Sequence, residues 1–192
     1  FDEKLSFRQS LDAINTHLGG TNTIELMVST QDELEISSPL FLHELEKLTA
    51  WLQQQAEIEH VNSIVGTFKR LNQTLHSGQP EFFRLPNSQN EAAQMLLLYE
   101  LSLPYGLELT DRLSLDRRDT RIMLTLKPLK AQTMVSLEKR IADYVSSHQP
   151  ALAITSSSIS LILSHIGSEN GESMIFASLC ALVLISAMLT VA

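Results

Sequence analysis

Cysteine is almost absent: Cys180 is the only one in 192 residues, so no internal disulfide can form, whichever compartment holds the chain. Grouped basic charge is absent too. Lys69-Arg70 and Arg117-Arg118 are isolated pairs that read as solvated surface, and the formal charge is −8. Phosphate recognition needs clustered Lys and Arg, so nucleic acid is not expected as a partner. None of the six histidines forms an H-x-x-x-H pair, which removes the commonest zinc signature. No nucleotide-cradling glycine loop occurs, and the serine-rich stretch of Ser156–Ser158 and Ser160 lacks a G-x-S-x-G elbow. Asp111, Asp116 and Asp119 gather near a turn, but their spacing fits no calcium loop, and Arg112, Arg117 and Arg118 neutralise them locally. Asp12 reads as a surface or capping residue. No residue presents itself as catalytic, metal-binding or cofactor-binding, substrate contacts stay unassigned, and neither a cofactor nor enzymatic activity is expected.

What is present is divided sharply. All the Lys and Arg, and all but two of the acids, lie before Pro150; beyond it the only charges are Glu169 and Glu172. Met174–Ala192 carries no charge at all, and its Ser178, Ser186 and Thr190 hydroxyls can bond back to helix carbonyls. At 1.5 Å per residue this run is about 28 Å long, close to the hydrocarbon thickness of a bilayer, so a transmembrane helix is expected. Its flank contains no Lys or Arg back to Arg140, which places the preceding domain outside the cytoplasm. The chain opens at Phe1 without Met, shows no signal peptide and stops within apolar sequence. A piece of a longer protein is the expectation.

Periodicity supplies the elements. Phe7, Leu11, Ile14 and Leu18 make an amphipathic opening helix that stops at Gly19-Gly20, and Thr23–Ser29 alternates as a strand. Ser38-Pro39 opens a helix over 39–56 with a stripe of Leu42, Leu45, Leu48 and Leu52, in which Trp51 reads as core. Val61–Val65 reads as a short strand, followed by Phe68, Leu71 and Leu75 at helical spacing and a connection over 77–87. Ser88-x-x-Glu91 is a capping box for a helix through Leu101. Leu107–Leu115 and Arg121–Leu126 suggest a hairpin across Asp116–Asp119. Met134, Leu137, Ile141 and Tyr144 or Val145 mark a helix over 131–147, Ala151–Thr155 a last strand, and Ile159–Ile166 an apolar lead into the membrane run. The expected fold class is therefore α+β: a ferredoxin-like βαβ-βαβ domain with an inserted helical stretch, its sheet antiparallel and helix-covered on one face. In residue numbers, that is a lead-in helix at 1–20, the domain at 21–157, a connector at 158–173 and the membrane helix at 174–192.

Several stretches carry a family resemblance: Phe1-Asp2 with Phe7-Arg8, Leu18-Gly19-Gly20-Thr21, Ser38-Pro39, His60-Val61-Asn62-Ser63, Lys69-Arg70-Leu71-Asn72 and Arg84-Leu85-Pro86. Leu96-Leu97-Leu98-Tyr99-Glu100, Leu103-Pro104-Tyr105-Gly106-Leu107, Ser164-His165-Ile166 and Ala181-Leu182-Val183-Leu184-Ile185-Ser186 complete the set. In this order the chain resembles a periplasmic loop, the second rather than the first, of the resistance–nodulation–division (RND) superfamily. The branch is that of the MMPL-like hydrophobe/amphiphile exporters, hopanoid-transporter-like proteins among them. The resemblance implies a porter-type domain lining the efflux path of a proton-driven exporter of lipids or other hydrophobic or amphiphilic molecules. It implies an inner (cell) membrane location in bacteria, with the folded domain on the periplasmic side. The implied partners are a lipid or hydrophobic small molecule, the membrane, and the other periplasmic domain and membrane helices of the same protein; homo-oligomerisation stays open. Proton-relay acids would lie in membrane helices outside this chain. Two alternatives stand beside it: a ligand-sensing periplasmic domain of a membrane receptor, and a protein-translocation accessory of the same superfamily.

Overall fold

The computed structural model describes residues 22–30, 34–104 and 112–191. Side chains at 160, 164, 167–173, 175, 183, 184, 187 and 189–191 are outside the described set. The opening helix, Asp12, Asp111 and the start of the expected hairpin also fall outside it.

Alternation builds the sheet. In β1 (Asn22–Thr30), Ile24, Leu26 and Val28 are buried, while Glu25, Met27 and Ser29 point to the opposite face. Thr120, Ile122, Leu124 and Leu126 do the same in β3 (Thr120–Leu126), and the register sets Ile24 opposite Leu124 and Leu26 opposite Ile122. Both faces of the alternation thus coincide across the pair, which is what fixes a register. The edges are β2 (Ile58–Asn62), paired antiparallel to β3, and β4 (Leu152–Ser157), paired antiparallel to β1. The order is β2-β3-β1-β4. The architecture is α+β, with one four-stranded antiparallel sheet and helices.

Two helices cover the buried face. On α1 (Pro39–Gln53), Leu42, Leu45, Leu48 and Leu52 are fully buried, as their spacing predicts. Met134, Leu137 and Ile141 of α4 (Ala131–His148) are buried with them. Trp51 is half-buried rather than deep core: its ring stacks on Tyr144 of α4 at 4.0 Å, closing the seam between the helices. Ser38 stands at the N-cap of α1 but its hydroxyl makes no cap bond. Pro39, with φ pre-set, and the Leu42 N–H to Ser38 carbonyl bond start the helix instead.

The expected strand at 61–65 sits earlier in the chain. Ile58–Asn62 is the strand, and Ile64 and Val65 open α2 (Ile64–Leu75). Their spacing to Phe68 and Asn72 is helical, and all four are buried. Ser77 (φ 57°) and Gly78 (φ 78°) close α2, Gly78 N–H reaching Gln73 O and Ser77 N–H reaching Thr74 O. That pair of bonds is a Schellman ending, which needs left-handed backbone just past the helix. In α3 (Gln89–Ser102) the Ser88 hydroxyl accepts the Glu91 N–H at 3.2 Å, half of the expected capping box. The Glu91 carboxylate reaches back one residue further than the usual box, to Asn87 N–H at 2.9 Å. Of the expected hairpin, the described residues retain the turn and one bridge, Leu113 with Thr120.

The last helix runs through the stretch expected as a connector at 158–173. Instead of a separate connector, α5 (Ile159–Val191) is one helix of 33 residues. No proline follows Pro150, and glycine alone, at about 1 kcal/mol relative to alanine, does not end a helix of this length. Its base is tied to the domain: Leu161 is buried, and the Ser158 hydroxyl donates to Thr23 O on β1. Among the described residues no helix is long and apolar enough to cross a membrane. Positions 175, 183, 184, 187 and 189–192 of the uncharged run are outside the described side chains.

Candidate functional site

A cleft of about 1000 Å³ runs along the edge strand β2. It is bounded by the second half of α1, by α2, by Phe83 and Tyr99, by Arg112, and by Met123 and Thr125 on the open face of β3. That size lies within the usual range for small-molecule sites. Its floor carries buried hydroxyls that are already satisfied: Thr49 donates to Leu45 O at 2.7 Å and lies 3.3 Å from the Ser63 hydroxyl. Val61, Leu71 and Tyr99, all half-buried, and Phe83, half exposed, add apolar wall.

Its charge runs against that of the whole chain. Among the described residues, Lys47, Lys69, Arg70 and Arg112 line it against one carboxylate, Glu46, although the chain carries −8. Two of these cations are committed. Lys47 pairs with Glu44 at 2.7 Å, which raises its pKa. Lys69 spans from α2 to Glu46 on α1 at 2.5 Å and passes 5.9 Å from the Phe83 ring centre. Burial pushes the Glu46 carboxyl up, but its bonds to Lys69 and His43 outweigh that and hold its pKa below the ordinary value. The two arginines differ. Arg70 Nε donates to Gly66 O at 3.3 Å, and Arg112 Nη1 donates to Thr67 Oγ1 at 3.3 Å. Among the described residues neither guanidinium is paired with a carboxylate.

Lys69-Arg70, expected as a solvated pair, therefore divides: Arg70 is exposed, but Lys69 is half-buried and bridges two helices. The sequence offered one signal, an Ile64/Val65/Phe68 stripe that turns Lys69 and Arg70 onto adjoining faces of α2. It offered none for Arg112, which reaches Thr67 across 45 residues only because the chain closes.

The other sequence candidates are structural. Arg117 (φ 57°) pairs with Glu100 at 2.8 Å. The Ser114 hydroxyl bonds Asp116 at 2.6 Å, holding that carboxyl below its ordinary pKa, and Arg118 N–H bonds the same oxygen. Asp116 thus organises its own turn, and among the described residues no group of three His, Cys, Asp or Glu side chains could hold a metal ion. The serine stretch contributes a constellation that sequence reading missed. Glu138 on α4 accepts the Ser156 hydroxyl of β4 on one oxygen, and His165 of α5 lies 2.7 Å from the other. The carboxylate stands between serine and imidazole, whereas nucleophilic catalysis places the imidazole next to the hydroxyl. This is a three-element tie at the base of α5.

Compared with models of protein families and with curated proteins, the chain matches none.

Proposed function

We propose that this is the extracytoplasmic substrate-pathway domain of a proton-driven exporter of lipids or other hydrophobic or amphiphilic molecules, with α5 as its membrane anchor. One observation carries the reading. Met174, Phe176, Leu179, Leu182, Ile185 and Met188 are each 60% or more exposed on α5. At about 100° per residue they are spread around most of the helix circumference, which suits an apolar solvent better than a one-sided protein contact. The uncharged sequence from Met174 to Ala192 supports the same reading, as does the flank without Lys or Arg, which favours a domain on the periplasmic side of a bacterial inner membrane. Finer fold features agree with a porter-type domain. In the order β2-β3-β1-β4, β1-α1-β2 straddles β3, and β3-α4-β4 straddles β1. These interleaved β-α-β units support a ferredoxin-like reading, with α2 and α3 as the inserted stretch. The RND resemblance supplies the exporter class, and the domain is proposed to bind and guide rather than to catalyse.

The test is transport. Reconstituted in proteoliposomes as part of its whole protein, the domain should be required for movement of a fluorescent lipid under an imposed pH gradient. Gradient-driven transport that survives deletion of 22–156, with the membrane helices still inserted, would overturn the reading. A second reading, a ligand sensor, is favoured by the Ser156–Glu138–His165 tie, which couples the sheet to α5. Ligand-triggered signalling without transport would select it.

A further inference from the structure

We propose that the cleft along β2 is an oxyanion site, taking a phosphate-class group through Arg70 and Arg112, with apolar wall beside it for whatever carries that group. The argument starts from how the two guanidinia are held. Gly66 O and Thr67 Oγ1 belong to consecutive residues of α2, and they receive Arg70 Nε and Arg112 Nη1 respectively. Two side chains from distant parts of the sequence are thereby anchored on the same turn of one helix. Among the described residues each anchor uses one of the five guanidinium donors, which leaves the rest of each fork to a ligand.

Arginine suits this task. Its guanidinium is weakly hydrated, stays charged, and bonds oxyanions with two parallel N–H groups. Both arginines line the same cleft, and an anion bound by both would offset the repulsion between their like charges. A dianionic phosphate ester matches the pair better than a single carboxylate. Lys69 is not needed as a ligand, because Glu46 already holds it. The acidic remainder of the chain makes this cleft a local exception, which directs an anion to it and away from the other surfaces. Phe83 and Tyr99 provide apolar and aromatic surface within the same cleft, where an acyl or isoprenoid chain would lie. None of these steps depends on the export reading.

Binding to the full chain, held in a detergent with an uncharged headgroup, tests the proposal by titration calorimetry. The probes are inorganic phosphate, dihexanoyl phosphatidic acid, and dihexanoylglycerol as the uncharged control. The phosphate-bearing probes should bind, the uncharged one should not, and affinity should fall as salt rises. Arg70→Ala and Arg112→Ala should each weaken binding about tenfold, and the double variant more, with circular dichroism unchanged. Arg121→Ala, on the open sheet face and paired with Glu25, should leave binding as it was. Tighter binding of the phosphatidic acid than of phosphate would identify an amphiphile headgroup as the source; equal affinity would identify free phosphate, and both support the site. Should either arginine variant fail to fold, the salt dependence and the uncharged control still decide. The proposal is overturned if dihexanoylglycerol binds as tightly as the phosphatidic acid, if affinity is insensitive to salt, or if the folded double variant binds unchanged.

Discussion

At the scale of single residues, the buried leucines decide stability and the paired charges tune it. Leu45 is fully buried between α1 and the sheet, so Leu45→Ala removes transfer energy and leaves a cavity. The expected cost is about 2–5 kcal/mol, read from urea unfolding. Glu57 shows the electrostatic side. The Arg140 guanidinium donates to it at 2.8 Å, tying the approach to β2 to α4 and holding the carboxyl below its ordinary pKa. A carboxyl with a depressed folded-state pKa contributes stability above its unfolded pKa and loses it as pH falls through the folded value. Arg140→Ala should therefore lower Tm near pH 7, by an amount corresponding to about 0.5 kcal/mol. The gap from the parent protein should close as pH falls below the ordinary carboxylate range. A gap that stayed constant down to strong acid would show that lost packing, not charge, is what Arg140 contributes.

At the scale of elements, the sequence was most legible where periodicity and local capping agreed. α1 and α4 display their leucine and methionine stripes at helical spacing, and β1 and β3 alternate without interruption. α3 was legible from its cap alone, since apolar residues surround it with little bias to one side; Leu97, Leu98 and Leu101 are each half exposed or more. The cap should accordingly matter: Ser88→Ala is expected to cost about 1 kcal/mol in thermal unfolding. Glu91→Ala should cost less, because its partner is the exposed Asn87 N–H. Legibility failed at Ile58–Val65, where the β-branched Ile58, Val61, Ile64 and Val65 alternate with polar residues at spacings that fit strand and helix alike, and the switch at Ser63 is set by how α2 packs. It failed again for the cleft. Arg70 and Arg112 belong to different elements, and no local pattern records that Thr67 will receive Arg112.

At the scale of the whole molecule, the chain joins a folded α+β domain to a helix whose described far-half apolar side chains, Met174, Phe176, Leu179, Leu182, Ile185 and Met188, are exposed. Without detergent, the chain through Ala192 should self-associate or partition into vesicles, whereas one shortened to end at Ser157 should stay monomeric. Sedimentation of both would check this, and equal monomeric behaviour would count against the membrane anchor. The unbroken backbone from Ile159 onward was not readable from sequence, because glycine and serine at 167–173 resemble a linker. That continuity has a mechanical consequence. A helix of 33 residues is about 50 Å long and would act as a stiff lever if it pivoted where Glu138 meets His165. With about 39 Å of helix beyond that fulcrum, a tilt of about 5° would sweep the far end through about 3 Å, so a sub-ångström repacking beside β4 would be magnified into a larger displacement at the other end.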